Sequence, residues 1–91
     1  MKKRFHVWIY GLVKGVFFRA TIKEEADKLG LKGFVRNTED CVELVLEGES
    51  ERVQQMLEFC RKGPKYAKVV KTEEKEENYA AEFPNFKILH F

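Results

Sequence analysis

Residues 5–19 read F-H-V-W-I-Y-G-L-V-K-G-V-F-F-R, and this stretch decides both the fold and the first functional hypothesis. Residues 5–13 predict a strand with apolar side chains on both faces, which is typical of a strand inside a sheet. Gly11 and Gly15 then lead to Arg19, which falls in the predicted first turn of a helix. Because backbone N–H groups and the helix dipole both favour negative charge there, we expect this loop to hold a phosphate group, with Arg19 as a further donor.

The same loop has a purely structural alternative. Its glycines would then serve only to allow a tight turn from strand to helix, and Arg19 would be an ordinary solvated residue. A cation at a helix N-terminus is electrostatically unfavourable unless an anion binds beside it, and this favours the phosphate hypothesis.

The rest of the chain predicts further strands and helices. Apolar residues at helical spacing predict one helix over residues 17–29, ended by Gly30, and a second that starts at Ser50 as N-cap and ends at Gly63-Pro64. Alternating apolar residues predict the remaining strands, which are 33–37, 41–47, 67–72 and 86–91. The first two of these form an antiparallel hairpin, and the last two are predicted edges of the sheet.

This order is β-α-β-β-α-β with an additional C-terminal edge strand. We therefore predict an α+β fold, a ferredoxin-like α/β sandwich with two helices on one face of a mostly antiparallel sheet. The helical crossover makes the first two strands parallel, so their C-terminal ends lie at the same edge and Asn37 comes beside the 11–19 loop. The pattern alone leaves Asn37 open between a site residue and a turn residue, which asparagine often is.

Bulk properties limit the classes of function. The chain has 91 residues, of which 44% are hydrophobic, and we expect a single domain over residues 1–91. Its formal net charge of +2 is too mild to indicate nucleic acid as a partner. We see no apolar run of transmembrane length and no secretory signal, and the two cysteines make no disulfide framework. We expect a cytoplasmic protein with no membrane partner.

Four segments of the chain form a recognisable set: G-L-V-K-G-V-F-F-R at 11–19, L-G-L-K-G-F-V-R-N at 29–37, V-E-L-V-L-E-G at 42–48 and G-P at 63–64. In this order and spacing they resemble the acylphosphatases, small hydrolases of the carboxyl–phosphate bond. The resemblance implies that Arg19 binds the substrate phosphate and that Asn37 positions the attacking water. The phosphate-binding loop that it implies consists of Lys14, Gly15, Val16, Phe17 and Phe18, together with Arg19.

The resemblance also implies the partners of the protein. These are a small-molecule acyl phosphate as substrate and inorganic phosphate as product and competitive inhibitor. We expect no cofactor and no metal, and a monomer. A non-catalytic module of the same fold that binds an acyl or carbamoyl phosphate is the alternative, and the presence of both Arg19 and Asn37 favours the enzyme.

Two positions depart from the family pattern. Lys14 stands where the family usually has glutamine, and Cys41 stands where it usually has glycine after the aspartate of the hairpin turn. Lys14 leaves the backbone donors of the loop intact, so we expect activity with an altered phosphate affinity or salt dependence. Cys41 affects the hairpin turn, because glycine often supplies a positive φ there.

Other chemistries receive less support. Cys60 lies on the apolar stripe of the second helix, which indicates core packing rather than a nucleophile. His6 and His90 have no partner at metal-ligand spacing. Trp8, Tyr10 and the loop phenylalanines are compatible with stacking on RNA bases, but the mild charge favours core and loop-anchoring roles.

Overall fold

The computed structural model describes residues 1–15 and 17–90 as a five-stranded sheet with two helices packed on one face. The elements in chain order are β1 Lys2–Leu12, α1 Phe18–Lys28, β2 Lys32–Asn37, β3 Val42–Glu49, α2 Ser50–Lys62, β4 Lys68–Glu77 and β5 Phe86–Leu89. The strands lie in the order β4-β1-β3-β2-β5. The predicted ferredoxin-like α+β fold is therefore confirmed, with β4 and β5 at the edges.

Strand directions follow from the pairing registers. β3 pairs antiparallel with both β1 and β2, so β1 and β2 run parallel to each other on either side of it. β4 pairs antiparallel with β1, and β5 pairs parallel with β2. The C-terminal ends of β1, β2 and β5 consequently meet at one end of the sheet, where the 13–17 loop begins.

A continuous apolar core lies between the sheet and the helices. α1 packs over β2 and β5, while α2 packs over β1, β3 and β4. The buried side chains come from alternate strand positions and from one stripe of each helix: Val7, Ile9, Val35, Leu44, Leu46, Phe18, Ile22, Ala26, Val53, Met56, Leu57 and Cys60. Such alternation is what one buried sheet face requires. Neither helix in the described residues is long and apolar enough to cross a membrane.

Gly30 ends α1 as predicted. Its φ of 68° lies in the left-handed region, the N–H of Gly30 bonds to Asp27 O at 3.1 Å, and the N–H of Leu31 bonds to Ala26 O at 2.9 Å. These two bonds form a Schellman motif, which satisfies carbonyls that the end of the helix leaves without partners.

Several predicted boundaries were wrong. β1 begins at Lys2, because Lys2 and Lys3 pair with the end of β3. β4 continues to Glu77 instead of stopping at Thr72, because its charged residues pair with β1 as far as Arg4↔Glu77. β5 ends at Leu89. Ser50 is the first helical residue rather than the N-cap; Glu49 occupies that position and its side chain makes no capping bond.

Candidate active site

The loop between β1 and α1 is held at both ends by buried side chains. Val13 and Phe18 are 1% and 2% exposed and belong to the core. Between them the backbone takes left-handed conformations, with φ of 73° at Gly15 and 58° at Phe17. Phe17 is 86% exposed, so its side chain contributes nothing to the core. Val16, which belongs to the predicted phosphate loop, lies outside the described residues.

The N-terminus of α1 opens onto this loop. Its first turn contains no acidic residue, and Arg19 lies there instead. The backbone N–H groups of Lys14, Gly15 and Phe17 donate to no acceptor among the residues that the structure describes. Free donors, a helix dipole and a cation in one place together favour an anion.

Arg19 is partly buried, and the C-terminal strand helps to hold it. Its Nη1 donates to Leu89 O at 3.3 Å, which is the only acceptor that the described residues offer to this guanidinium. Most of the N–H donors of Arg19 therefore remain available for a ligand, in the planar arrangement that suits a phosphate.

Asn37 is the last residue of β2, and its side chain is incompletely bonded. The Oδ1 atom is buried yet has no hydrogen-bond partner among the described residues. A buried acceptor without a partner costs on the order of 1–3 kcal/mol, so native structures contain few of them. The unpaired oxygen makes Asn37 a candidate for binding a ligand or a water molecule.

Arg19 and Asn37 line the same pocket, which has a volume of about 310 Å³. Its walls are Val13, Gly15, Phe17, Phe18, Arg19, Ala20, Asn37, Ile88 and His90. The two residues are 18 positions apart in sequence, and the parallel course of β1 and β2 brings them together. A second, adjoining hollow is lined by Arg19, Asn37, Leu89 and His90.

Lys14 extends away from this pocket. Its backbone lies in the loop, but its ammonium group donates to the backbone carbonyls of Thr38 and Glu39 in the turn between β2 and β3. Of the predicted phosphate-binding residues that the structure describes, Gly15, Phe17, Phe18 and Arg19 line the pocket, and Lys14 does not.

Sequence reasoning missed the contribution of β5. Ile88 and His90 line the pocket, and the carbonyl of Leu89 binds Arg19. The sequence pattern indicates no place for His90 in the anion site. No local signal could have revealed these neighbours, because they result from parallel pairing of β5 with β2, a strand about 50 residues earlier in the chain.

The cysteines lie in apolar surroundings. Cys60 is fully buried in the core, and its burial raises the pKa of the thiol far above the usual range. A thiol that does not ionise is a poor nucleophile, so the burial of Cys60 agrees with its predicted role in core packing.

Cys41 is 4% exposed, and its backbone N–H bonds to Thr38 Oγ1 at 3.0 Å within the hairpin turn.

Comparisons with known proteins extend along nearly the whole chain. A family model described as acylphosphatase matches residues 5–88. An acylphosphatase of Syntrophobacter fumaroxidans is 48% identical over 88 residues, which cover 96% of this chain and 91% of that protein. An acylphosphatase of Pyrobaculum aerophilum is 50% identical over 88 residues, covering 94% and 93%. The solved structure of an acylphosphatase from Coxiella burnetii has a TM-score of 0.91 at 31% identity, covering 97% of this chain and 93% of that one.

Proposed function

This chain belongs to the acylphosphatase family and is an enzyme of that family, and from this premise we propose how its site hydrolyses an acyl phosphate. The overall reaction converts an acyl phosphate and water into a carboxylate and inorganic phosphate. The bond from the attacking water oxygen to phosphorus forms, and the bond from phosphorus to the acyl oxygen breaks. The electron pair of the broken bond leaves with the carboxylate.

The phosphoryl group is held by the loop and by Arg19. Backbone N–H groups from Lys14 to Phe18, Val16 included, donate to its equatorial oxygens, and the guanidinium of Arg19 neutralises charge on the same group. Two observations support this assignment. The N–H groups of Lys14, Gly15 and Phe17 have no acceptor among the described residues, and the first turn of α1 carries arginine and no acidic residue. Phosphoryl transfer depends mainly on such positioning and charge stabilisation.

The leaving group needs little help. A carboxylic acid has a pKa of roughly 4, so its anion departs without a general acid. This fits a pocket whose described walls contain Arg19, Asn37 and His90 among otherwise apolar or glycine residues, with no carboxyl side chain. The requirement that remains is a water molecule held in line with the bond that breaks.

Asn37 positions that water, and its unpartnered Oδ1 is the observation that carries the proposal. The carbonyl accepts a hydrogen bond from the water and so directs the oxygen lone pair toward phosphorus. An asparagine amide is not a base at neutral pH, so we assign the water's proton to a phosphoryl oxygen of the substrate. The product is then inorganic phosphate, which competes for the same loop.

Hydrolysis of benzoyl phosphate, followed by absorbance in the presence of EDTA, tests the proposal. Wild-type protein should turn over without added metal and should be inhibited competitively by inorganic phosphate. A folded sample with no turnover at neutral pH would instead support the binding module.

Two variants separate the roles of the site residues. Arg19→Ala should lose on the order of 10³ or more in turnover, by analogy with arginine contacts in phosphoryl transfer. Asn37→Ala should lose most turnover while the inhibition constant of phosphate stays near the wild-type value. Its free energy of unfolding should change little, because Oδ1 has no protein partner to lose.

Exposed residues away from the pocket provide matched controls. Arg52→Ala on α2 and Asn78→Ala after β4 make the same chemical changes at the surface, and both should retain wild-type kinetics. If Asn37→Ala abolished phosphate inhibition but kept turnover, the two roles would have been assigned the wrong way round.

A further inference from the structure

The side chain of Lys14 connects the two halves of the site. Its backbone belongs to the loop after β1, whereas its Nζ donates to Thr38 O and, at 2.7 Å, to Glu39 O. These carbonyls lie in the turn directly after Asn37. In the described part of the chain this ammonium forms no ion pair with a carboxylate. The donors of the Lys14 ammonium therefore connect the loop after β1 to the turn between β2 and β3.

The turn that Lys14 contacts is closed by its own hydrogen bonds. Thr38 N donates to Cys41 O at 2.8 Å, and Cys41 N donates to Thr38 Oγ1 at 3.0 Å. Asn37 precedes this turn and pairs with Val42, which follows it. Because Thr38 is bonded directly to Asn37, a contact on Thr38 and Glu39 acts next to Asn37.

Two hydrogen bonds from the Lys14 ammonium join the turn to the loop. Arg19 is anchored on the other side, to β5 through Leu89 O, and Asn37 Oδ1 has no partner in the described residues. Hydrogen bonds from an ammonium to carbonyls are stronger than neutral ones, but Lys14 is exposed, so their net effect on stability is small. The contact is better suited to fixing a distance than to stabilising the fold.

We propose that Lys14 is a positioning residue for hydrolysis, whose ammonium fastens the β2–β3 turn to the phosphate loop and thereby fixes the Asn37 amide relative to the bound phosphoryl group. This rests on the proposed function, because it acts through the water that Asn37 holds. The loop N–H groups and Arg19 do not depend on the side chain of Lys14. Its loss therefore lowers turnover and leaves phosphate binding intact.

Lys14→Met keeps the length of the side chain and removes its donors. Misplacement of a reacting group by about 1 Å can cost about a hundredfold, so we expect kcat for benzoyl phosphate to fall roughly tenfold to a hundredfold. The inhibition constant of inorganic phosphate should stay within about twofold of wild type, since the lost interaction acts only on the transition state. Lys14→Arg restores donors of similar reach and should recover most of kcat.

Lys23→Met is the matched control. It removes the same charge from α1, where Lys23 forms only an exposed pair with Asp27 at 2.7 Å. It should leave both kcat and phosphate inhibition unchanged. If Lys14→Met and Lys23→Met weakened phosphate inhibition equally, Lys14 would act through net charge. Weaker phosphate inhibition with unchanged kcat in Lys14→Met alone would mean that Lys14 acts on the phosphate. Either result overturns the proposal.

A double-mutant cycle tests the route through Asn37. Residual turnover of Asn37→Ala should be the same with and without Lys14→Met, because the second change has nothing left to position. An equal fold-loss in both backgrounds would overturn the proposal. The proposed function fails separately: wild-type turnover in Asn37→Ala contradicts it, whereas a low Asn37→Ala rate together with a wild-type Lys14→Met rate contradicts only the role of Lys14.

Discussion

At the scale of single residues, the site is built from arrangements that cost stability. Asn37 buries an oxygen without a partner, Arg19 places a cation at a helix N-terminus, and Phe17 adopts a left-handed backbone with its ring in solvent. Each is unfavourable in the unliganded protein, and all three line one pocket. Under the proposed mechanism, a bound phosphate would remove the cost at Arg19 and an ordered water would remove the cost at Asn37.

Phe17→Gly should make the protein more stable. A non-glycine residue with φ near 58° pays a steric cost that glycine avoids, and the exposed ring has no packing to lose. We expect the free energy of unfolding in urea to rise by about 0.5–1 kcal/mol. Phe17→Ala is the control, because it removes the ring but retains the steric cost, so it should gain little. A loss of stability in Phe17→Gly would show that the ring does contact the fold.

At the scale of elements, β5 completes the site from the far end of the chain. It pairs in parallel with β2 from Gly33↔Phe86 to Arg36↔Leu89, so the C-terminal ends of the two strands lie next to each other. The segment that leads into β5 crosses the open face of the sheet and is held by Glu47, whose carboxylate accepts the N–H groups of Ala80 and Glu82 at 3.0 Å each. Glu47 is 1% exposed. A buried carboxylate in β3 thus sets where β5, and with it the anchor of Arg19, can lie.

Gly33→Ala should disrupt the packing of β2 between β3 and β5. A Cβ on Gly33 would lie 1.8 Å from Val45 O, and the φ of 140° is already unfavourable for a side chain. We expect a loss of about 2–3 kcal/mol in the free energy of unfolding, measured by circular dichroism in urea. Activity should fall as well, since Asn37 lies at the end of the same strand.

Gly30→Ala serves as the control for Gly33. It also has a positive φ, of 68°, but nothing lies within 4 Å of an added Cβ. Its cost should therefore be only the backbone term, about 1 kcal/mol. Equal losses for the two variants would contradict the close approach of β2 and β3 at Gly33.

At the scale of the whole molecule, the two faces of the sheet are stabilised differently. The helices cover one face with apolar side chains, whereas the other carries a network of charges from four strands. His6 contacts Glu43 at 2.6 Å and Glu77 at 3.2 Å, Arg36 bonds to Glu43 at 2.5 Å, and Arg4 bonds to Glu77 at 2.9 Å. Burial by itself would raise the pKa of both glutamates. The bond from Arg36 to Glu43 and the bond from Arg4 to Glu77, together with the contacts of His6, outweigh burial and lower each pKa below the usual 4.5.

The lowered pKa values predict sensitivity to acid. A carboxyl whose pKa is lower in the folded state contributes stability above the unfolded pKa, and this is lost as the pH falls through the folded pKa. The melting temperature should therefore fall below about pH 4.5. Glu43→Gln should show a smaller fall between neutral and acid pH than wild type. The exposed control Glu24→Gln should follow the wild-type curve, and a Glu43→Gln curve parallel to wild type would contradict the prediction.

The sequence by itself determined the order of the elements and the place of the candidate site. Period-2 and period-3.6 patterns identified every strand and helix. The parallel direction that a helical crossover gives to the first two strands was enough to bring Asn37 beside the loop that leads to Arg19. The identification of strands and helices depends on local side-chain periodicity, and the crossover argument depends on a short connection between neighbouring elements. Both can be read from the sequence pattern. The wrong predicted ends of β1 and β4 show the limit of this approach. Charged residues there lie in strands because they pair with β3 and with β1, and a local pattern does not record such pairing.

Only the tertiary structure decided how the site is held together. Three features of the site join residues that are distant in sequence: the pairing of β5 with β2, the bond from Arg19 to Leu89, and the contacts of Lys14 with the hairpin turn. The buried oxygen of Asn37, which has no partner among the described residues, likewise results from tertiary packing. Strand pairing and side-chain hydrogen bonds between distant residues depend on which surfaces meet after folding. A local pattern therefore shows that a residue can donate or accept, but the packed chain determines which atom it reaches.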